Sequence, residues 1–351
     1  MSPKKLSDFA SLIKGLLTGL AGRQKEVLEK RYGLNKGDSL TLAEIGDSFG
    51  ITRERVRQIE NLALAEVRAK AEANSEYKNT VQALSQNLKN FGGVRREDQM
   101  VEDAVSLLAS VSPKDVLRNQ LHFLFDVSKA AGFHRATNDS HSFWHLNEDA
   151  RQNAFGFVKV LHDTLKDRKE EVLVHKKFNE LFAQAVKTHG AQDKAALNYA
   201  SVSKKFTKNV FGDFGLADWA EVNPQTSRDW AYLVLKKENK PLHFTEIAEK
   251  INQTRAKKQA HPQTVHNELI KDDRFVLVGR GTYGLREFGI LPGTAREVIT
   301  HFLQNHGALA SRDLVKLVLQ QRQFKENTLL LNLQNRKYFK RLPDGKYTIL
   351  A

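Results

Sequence analysis

The chain has 351 residues, contains no cysteine and carries 55 basic against 41 acidic residues, for a net charge of +14. The lack of cysteine excludes a disulfide scaffold, a thiolate nucleophile and a cysteine-ligated zinc or iron–sulfur site. No apolar run reaches the length of a signal peptide or a membrane span, so we expect a soluble, cytoplasmic protein with no membrane partner. The length predicts two or more domains, and the basic balance favours a polyanionic partner.

The excess positive charge lies mainly in the C-terminal part of the chain. Residues 225–351 hold 22 basic and 12 acidic residues, whereas residues 73–224 hold 20 and 19. The nearly neutral middle is typical of packing or protein-contact surface. The basic C-terminal part is the better candidate for contact with nucleic acid.

Residues 41–72 predict two helices joined by a tight turn. Thr41 and Glu44 have the spacing of a capping box, which begins a helix. Gly50 suits the left-handed cap that ends this helix, and Thr52 can cap the next one. A turn of three or four residues between two such helices is typical of a helix-turn-helix, whose second helix enters the DNA major groove.

The second of these helices has an outward N-terminal face that is polar. Its side chains match the donors and acceptors of base edges: arginine pairs with guanine, glutamine with adenine, and glutamate accepts from cytosine. The predicted base-contacting residues are Arg53, Glu54, Arg57 and Gln58. Arg55 and Thr52 are predicted to contact phosphate instead.

Residues 16–70 resemble region four of the sigma-70 family of bacterial transcription initiation factors. The motifs RQKEVLEKRYGL, at residues 23–34, and ITRERVRQIE, at residues 51–60, carry this resemblance. It implies that the four predicted base-contacting residues read a −35-like promoter element in double-stranded DNA. It also implies that the surface of residues 23–34 docks on the RNA polymerase core. No segment resembles the promoter-melting regions, so we do not expect the chain to open promoters alone.

The rest of the chain repeats a pattern of helices followed by a glycine-punctuated hairpin, which is the order of a winged helix. We therefore predict a mainly α fold with short β-hairpin wings, in which an N-terminal helix-turn-helix is followed by tandem winged-helix domains. The predicted domains are a helix-turn-helix domain (1–72), a helical linker (73–97), a helical middle region that could hold one or two degenerate winged helices (98–224), and two winged helices (225–288 and 289–351).

Residues 224–288 resemble the HARE-type winged helix, a family that includes the N-terminal domain of the RNA polymerase delta subunit. PLHFTEIAEKIN and GRGTYGLREF carry the resemblance. The last winged helix is basic, unlike the acidic tail of delta, so the displacing role of delta is not expected here. Five cations within eleven residues are predicted to contact DNA phosphate: Arg336, Lys337, Lys340, Arg341 and Lys346.

Two other patterns carry no chemistry in this interpretation. Gly279, Gly281 and Gly284 match G-x-G-x-x-G, but a strand follows them where a dinucleotide site needs a helix, so a wing turn is predicted. The histidines of residues 134–145 lack a metal-ligand pattern. We expect no enzymatic activity, catalytic residue, metal, cofactor or small-molecule substrate.

The sequence thus favours a bacterial-type, DNA-binding transcription regulator or sigma-like factor that reads a −35-like element, docks on RNA polymerase, or does both. One alternative is a delta-like accessory subunit of the polymerase that reads no sequence. A second is the DNA-sensing component of a restriction or modification system. An adaptor that binds only protein fits the neutral middle of the chain but not its basic end.

Overall fold

The structure is a computed structural model that describes residues 9–35, 37–108, 110, 112–255, 259–322 and 324–350. It divides into two compact units, an N-terminal unit (Met1–Thr207) and a C-terminal unit (Lys208–Ala351). Helices dominate both, and the strands form small antiparallel sheets, which confirms the predicted fold class. Across these residues, no helix has both the length and the apolar character needed to cross a bilayer.

Four helices build the helix-turn-helix module: α1 (Phe9–Leu17), α2 (Gly22–Tyr32), α3 (Leu42–Phe49) and α4 (Arg53–Ala73). The predicted capping box begins α3, since the Thr41 amide donates to Glu44 Oε2 at 2.7 Å and the Glu44 amide donates to Thr41 Oγ1 at 3.3 Å. Gly50 ends α3 with a φ of +64°. Thr52 Oγ1 then accepts from the Arg55 amide at 3.2 Å and begins α4, as predicted.

The turn between α3 and α4 depends on a glycine inside α3. A Cβ on Gly46 would lie 2.6 Å from the carbonyl oxygen of Ile51, a backbone atom that cannot swing aside. Beneath this contact, the fully buried side chains of Val27, Ile45 and Val56 hold α2, α3 and α4 together. The small core fixes the angle at which α4 leaves the module.

Residues 73–97, predicted as a helical linker, are largely helical and pack into the N-terminal unit. This segment forms α5 (Ser75–Asn90) and β1 (Val94–Arg96), and Leu84 and Leu88 are fully buried. Its composition is polar, which favoured the linker interpretation. Its few apolar residues nevertheless recur at helical spacing, which is enough to bury one face.

The first winged helix therefore begins at α5 and not at residue 98. After α5 and β1 come α6 (Glu97–Leu108), α7 (Lys114–Ser128), β2 (Gly132–His134) and β3 (Phe143–His145). The sheet order is β1-β3-β2, and both pairs are antiparallel. This module and the helix-turn-helix share one hydrophobic core, so the predicted boundary at residue 72 lies inside a packed unit.

The next segment begins with four helices: α8 (Glu148–Leu165), α9 (Lys169–Leu173), α10 (Phe178–His189) and α11 (Asp193–Val202). Two short strands follow, β4 (Phe206–Lys208) and β5 (Phe214–Leu216). α8 packs against both α10 and α11. The order of helices and strands matches a winged helix without its first strand, consistent with a degenerate copy.

The C-terminal unit holds the two winged helices that the sequence indicates most clearly. The first consists of α12 (Ser227–Glu238), β6 (Leu242–His243), α13 (Phe244–Thr254), α14 (Pro262–Ile270), β7 (Phe275–Gly279) and β8 (Thr282–Leu285), with sheet order β6-β8-β7. The second consists of α15 (Ala295–His306), α16 (Ser311–Gln321), α17 (Glu326–Leu333), β9 (Phe339–Arg341) and β10 (Tyr347–Ile349). The glycines of the G-x-G-x-x-G pattern lie in the β7–β8 hairpin, as the wing interpretation predicts.

Candidate nucleic-acid interface

The N-terminal turns of α4 present the predicted DNA-contacting residues to solvent. Val56 is fully buried and anchors this part of the helix to the module. The side chains around it are exposed: Thr52, Arg53, Glu54, Arg55, Arg57 and Gln58. The first turns of α4 therefore carry all six predicted residues, and this is the end of the helix that a helix-turn-helix offers to a major groove.

Two pairs of these side chains bond to each other in the free protein. Arg57 donates to both carboxylate oxygens of Glu54, at 2.9 Å from Nε and 2.7 Å from Nη2. Arg55 Nη1 donates to Gln58 Oε1 at 3.0 Å. The hydrogen bonds from Arg57 lower the pKa of the Glu54 carboxyl, while Glu54 raises the pKa of Arg57. Both residues are thus charged at neutral pH and held one turn apart on the helix.

Arg53 and Thr52 occupy the very start of α4. Arg53 makes no hydrogen bond within the described chain, so its guanidinium is available to a ligand. Thr52 Oγ1 uses its acceptor capacity on the Arg55 amide and retains a hydroxyl proton to donate. The helix N-terminus adds positive potential, which favours phosphate at this position.

A set of polar contacts that the sequence did not single out holds α4 in place. Arg31 of α2 lies 3.3 Å from Glu60 of α4 and also donates to the Leu40 carbonyl at 3.0 Å. Arg23 donates to the Phe49 carbonyl at 3.2 Å at the end of α3. The only sequence signal for these roles was the position of both arginines in the RQKEVLEKRYGL motif. They brace α3 and α4 against α2.

The end of α2 and the following loop are covered by α7. Asn119 Nδ2 donates to the Gly37 carbonyl at 2.8 Å, and Gln120 Nε2 donates to the Leu34 carbonyl at 3.4 Å. Tyr32 bonds to Asp126 of the same helix. Part of the surface at residues 23–34, predicted to dock on polymerase, is therefore occupied within the chain. Its N-terminal part, including Arg23 and Lys25, stays exposed.

Two helices, α7 and α11, directly precede the strands β2 and β4. Both pack mainly against other parts of the N-terminal unit. In α7, Leu117, Gln120 and Leu121 are buried. In α11, Asn198 Nδ2 donates to the Val94 carbonyl at 2.5 Å, and Tyr199 Oη donates to the Gly92 carbonyl at 2.8 Å. These helices occupy the position that reads DNA in a DNA-binding winged helix, and here most of their surface is already covered.

The C-terminal wing leaves its basic residues in solvent. Phe339 is 2% exposed and anchors β9, while the five predicted phosphate contacts are all exposed: Arg336, Lys337, Lys340, Arg341 and Lys346. Lys346 lies 3.6 Å from Asp344, and this is the one ion pair that these five make with a described residue. The hairpin thus carries several cations whose charge is not neutralised locally.

Comparison with known proteins assigns two of these modules. Residues 16–69 match the family model described as Sigma-70, region 4. Residues 226–288 match the HARE-HTH model, a helix-turn-helix domain whose description names ASXL and restriction endonucleases. Both resemblances inferred from the motifs are confirmed, and α4 is the second helix of the helix-turn-helix within the segment that matches region 4.

The sigma-factor relatives match a short stretch of this chain. RNA polymerase sigma factor SigA2 of Synechococcus elongatus is 40% identical over 79 residues, which cover 22% of this chain and 25% of that protein. SigA1 of the same species is 50% identical over 56 residues, covering 16% and 14%. The RNA polymerase sigma-B factor of a Nostoc species is 46% identical over 71 residues, covering 19% and 21%. The chain thus spans a quarter or less of these relatives.

Proposed function

We propose that this chain is a DNA-binding transcription protein whose region 4 domain reads a −35-like promoter element through Arg53, Glu54, Arg57 and Gln58. The exposed polar face of α4, standing on a braced helix-turn-helix, carries this proposal. The region 4 match and its sigma-factor relatives support it. Thr52 and Arg55 position the helix by binding phosphate.

In this proposal, the basic wing of the last module also binds DNA, without regard to its base sequence. Lys340 and Arg341 on β9, with Arg336, Lys337 and Lys346 beside them, contact phosphates. Two weak DNA-binding elements on one chain raise the apparent affinity through effective concentration. The chain acts without chemistry of its own.

Docking on RNA polymerase is the second part of the proposal and involves a smaller surface than in the sequence-based prediction. α7 covers the C-terminal end of the surface at residues 23–34, so its exposed N-terminal part, which includes Arg23, Lys25 and Glu26, remains for such a contact. We therefore propose DNA readout as the main function of the chain and polymerase contact as a secondary one.

The test is selection of bound sequences from a random duplex pool at two salt concentrations. We expect the wild-type protein to enrich a −35-like motif and Arg57→Ala to lose it. Arg151→Ala is the matched control, because Arg151 also pairs with a glutamate three residues earlier, Glu148, in the first turns of α8. Salt-sensitive binding with no enriched motif would contradict the proposal and favour an accessory subunit without readout.

A further inference from the structure

A groove of about 890 Å³ lies within the C-terminal unit, between the β7 strand of one winged helix and the start of α17 in the next. Its apolar lining includes Leu277, Pro292 and Phe324. Leu277 is 49% exposed, although it is a large apolar residue in a strand. Such a surface is suited to bury the apolar side chains of a partner.

The strand along this groove has an unpaired outer edge. Because the sheet order is β6-β8-β7, β7 pairs only with β8 among the described strands. At Leu277 the outer carbonyl accepts a hydrogen bond from a side chain, Arg322 Nη2, at 2.5 Å. The Phe275 amide on the same edge donates to the Asp272 carbonyl at 3.1 Å, so a ligand along β7 contacts side chains of the groove rather than these main-chain groups.

Arg322 places an uncompensated positive charge in the wall of the groove. Its side chain is only 5% exposed and bonds to three neutral carbonyl groups, those of Leu291, Leu277 and Gly293. Its Nε has no partner, and no carboxylate forms an ion pair with it among the described residues. Burial lowers the pKa of this guanidinium. A buried cation of this kind favours a ligand that brings negative charge.

The rim of the groove has the same sign. Arg280 and Lys325 line it and are both exposed. The acidic side chain of the lining, Glu297, is engaged at 2.7 Å with the Thr294 amide and at 3.0 Å with Thr294 Oγ1. It caps α15 through Oε2, and its single negative charge is outnumbered in the lining by Arg280, Arg322 and Lys325. The groove is positive at its rim and in its wall, and apolar between them.

We propose that this groove binds an extended segment of a partner protein in which acidic and apolar residues alternate. The segment lies along β7, its apolar side chains contact Leu277 and Phe324, and its carboxylates lie near Arg280, Arg322 and Lys325. The apolar lining favours a peptide over a nucleic acid, since phosphates gain nothing from such a surface. Binding here is independent of DNA readout by α4.

The test starts with selection of random twelve-residue peptides displayed on phage against the full chain. We expect the enriched peptides to combine aspartate or glutamate with apolar residues. Synthetic copies are then measured by fluorescence anisotropy, alongside versions in which every acid is replaced by its amide. We expect the amide versions to bind at least tenfold more weakly.

Variants locate the binding site. The double variant Arg280→Gln, Lys325→Gln changes two exposed side chains and is expected to keep its fold while losing at least tenfold in affinity. The control Lys271→Gln, Arg312→Gln removes the same charge at exposed positions outside the groove lining. Enrichment without acids, or equal binding by both double variants, would overturn the proposal. The variant Arg57→Ala should lose DNA readout and keep its affinity for the peptide. The proposal of DNA readout and the proposal of peptide binding can therefore be disproved independently.

Discussion

Tyr32, at the end of α2, donates its phenolic proton to the carboxylate of Asp126 on α7. Burial, followed by the hydrogen bond to Asp126, raises the pKa of Tyr32, so the phenol stays protonated as the donor. Arg68 of α4 donates to the Asp126 carbonyl at 3.3 Å. A tyrosine of the RQKEVLEKRYGL motif thus fastens the helix-turn-helix module to a winged helix in the same chain.

Removing this phenol should loosen the two modules from each other. We expect Tyr32→Phe to cost about 1 to 2 kcal/mol, because Asp126 loses a partner in a partly buried site. Hydrogen–deuterium exchange of α2 and α7 peptides is the measurement, and both should exchange faster. Tyr338→Phe in the C-terminal unit is the control, since no hydrogen bond of its hydroxyl is found in the described chain. Unchanged exchange in Tyr32→Phe would mean that the apolar core alone joins the modules.

Gly46 tests the packing of α3 against α4. We expect Gly46→Ala to destabilise the N-terminal unit by about 2 kcal/mol or more, because the new Cβ meets a backbone oxygen at 2.6 Å. Gly15→Ala in α1 is the matched control, as its Cβ meets nothing within 4 Å. That variant should gain up to about 1 kcal/mol from helix propensity. Urea denaturation compares them, and equal midpoints would contradict the close approach.

Glu54 is expected to contribute selectivity more than affinity. In Glu54→Ala, Arg57 is released from its partner and an acidic group leaves the DNA-facing surface. We expect binding to random duplex to strengthen and discrimination between the selected site and its single-base variants to fall by about tenfold. Glu148→Ala, which breaks the similar pair in α8, should change neither quantity. Weaker binding to every duplex would show that Glu54 serves only to orient Arg57.

The C-terminal wing should set the salt dependence of DNA binding. Removing one cation that binds a phosphate should reduce the slope of log affinity against log salt concentration by about 0.9. Lys340→Gln with Arg341→Gln should therefore lower the slope by about 2. Lys78→Gln with Lys114→Gln, two exposed cations of α5 and α7, should leave it unchanged. Equal slopes in the two double variants would remove the wing from the DNA interface.

An acid-sensitive ion pair stabilises the C-terminal unit. Arg274 Nη2 lies 2.7 Å from Asp272 Oδ2, and this hydrogen bond lowers the pKa of Asp272 below its ordinary value of 3.8. The ionised carboxylate is favoured in the folded state, so its contribution is present above pH 3.8 and is lost as the pH falls through the lower folded-state pKa. We expect Asp272→Asn to flatten the fall in stability below about pH 4. Asp273→Asn, at an exposed neighbouring residue, should leave that fall unchanged.

Local sequence signals determined the helix-turn-helix and the wings. Thr41, Glu44, Gly50 and Thr52 act through contacts to residues within three positions, or through their own φ angle, so their geometry does not depend on the rest of the fold. The Asp-Gly turn between β9 and β10 is equally local. The exposed face of α4 followed from the same signals, because Val56 and Val67 define the buried side.

Only the tertiary structure decides which helices are packed against other parts of the protein. α5 has a polar composition, and whether its few apolar residues are buried depends on α6 and α7, which lie outside the segment. The sequences of α7 and α11 contain no feature that distinguishes a helix packed within the protein from one that reads DNA. Their contacts within the chain show that they are packed. The charge of Arg322 is likewise ordinary in sequence and becomes unusual only when three carbonyl groups enclose it. Burial is a property of the partners that surround a side chain, and the sequence of one segment does not contain them.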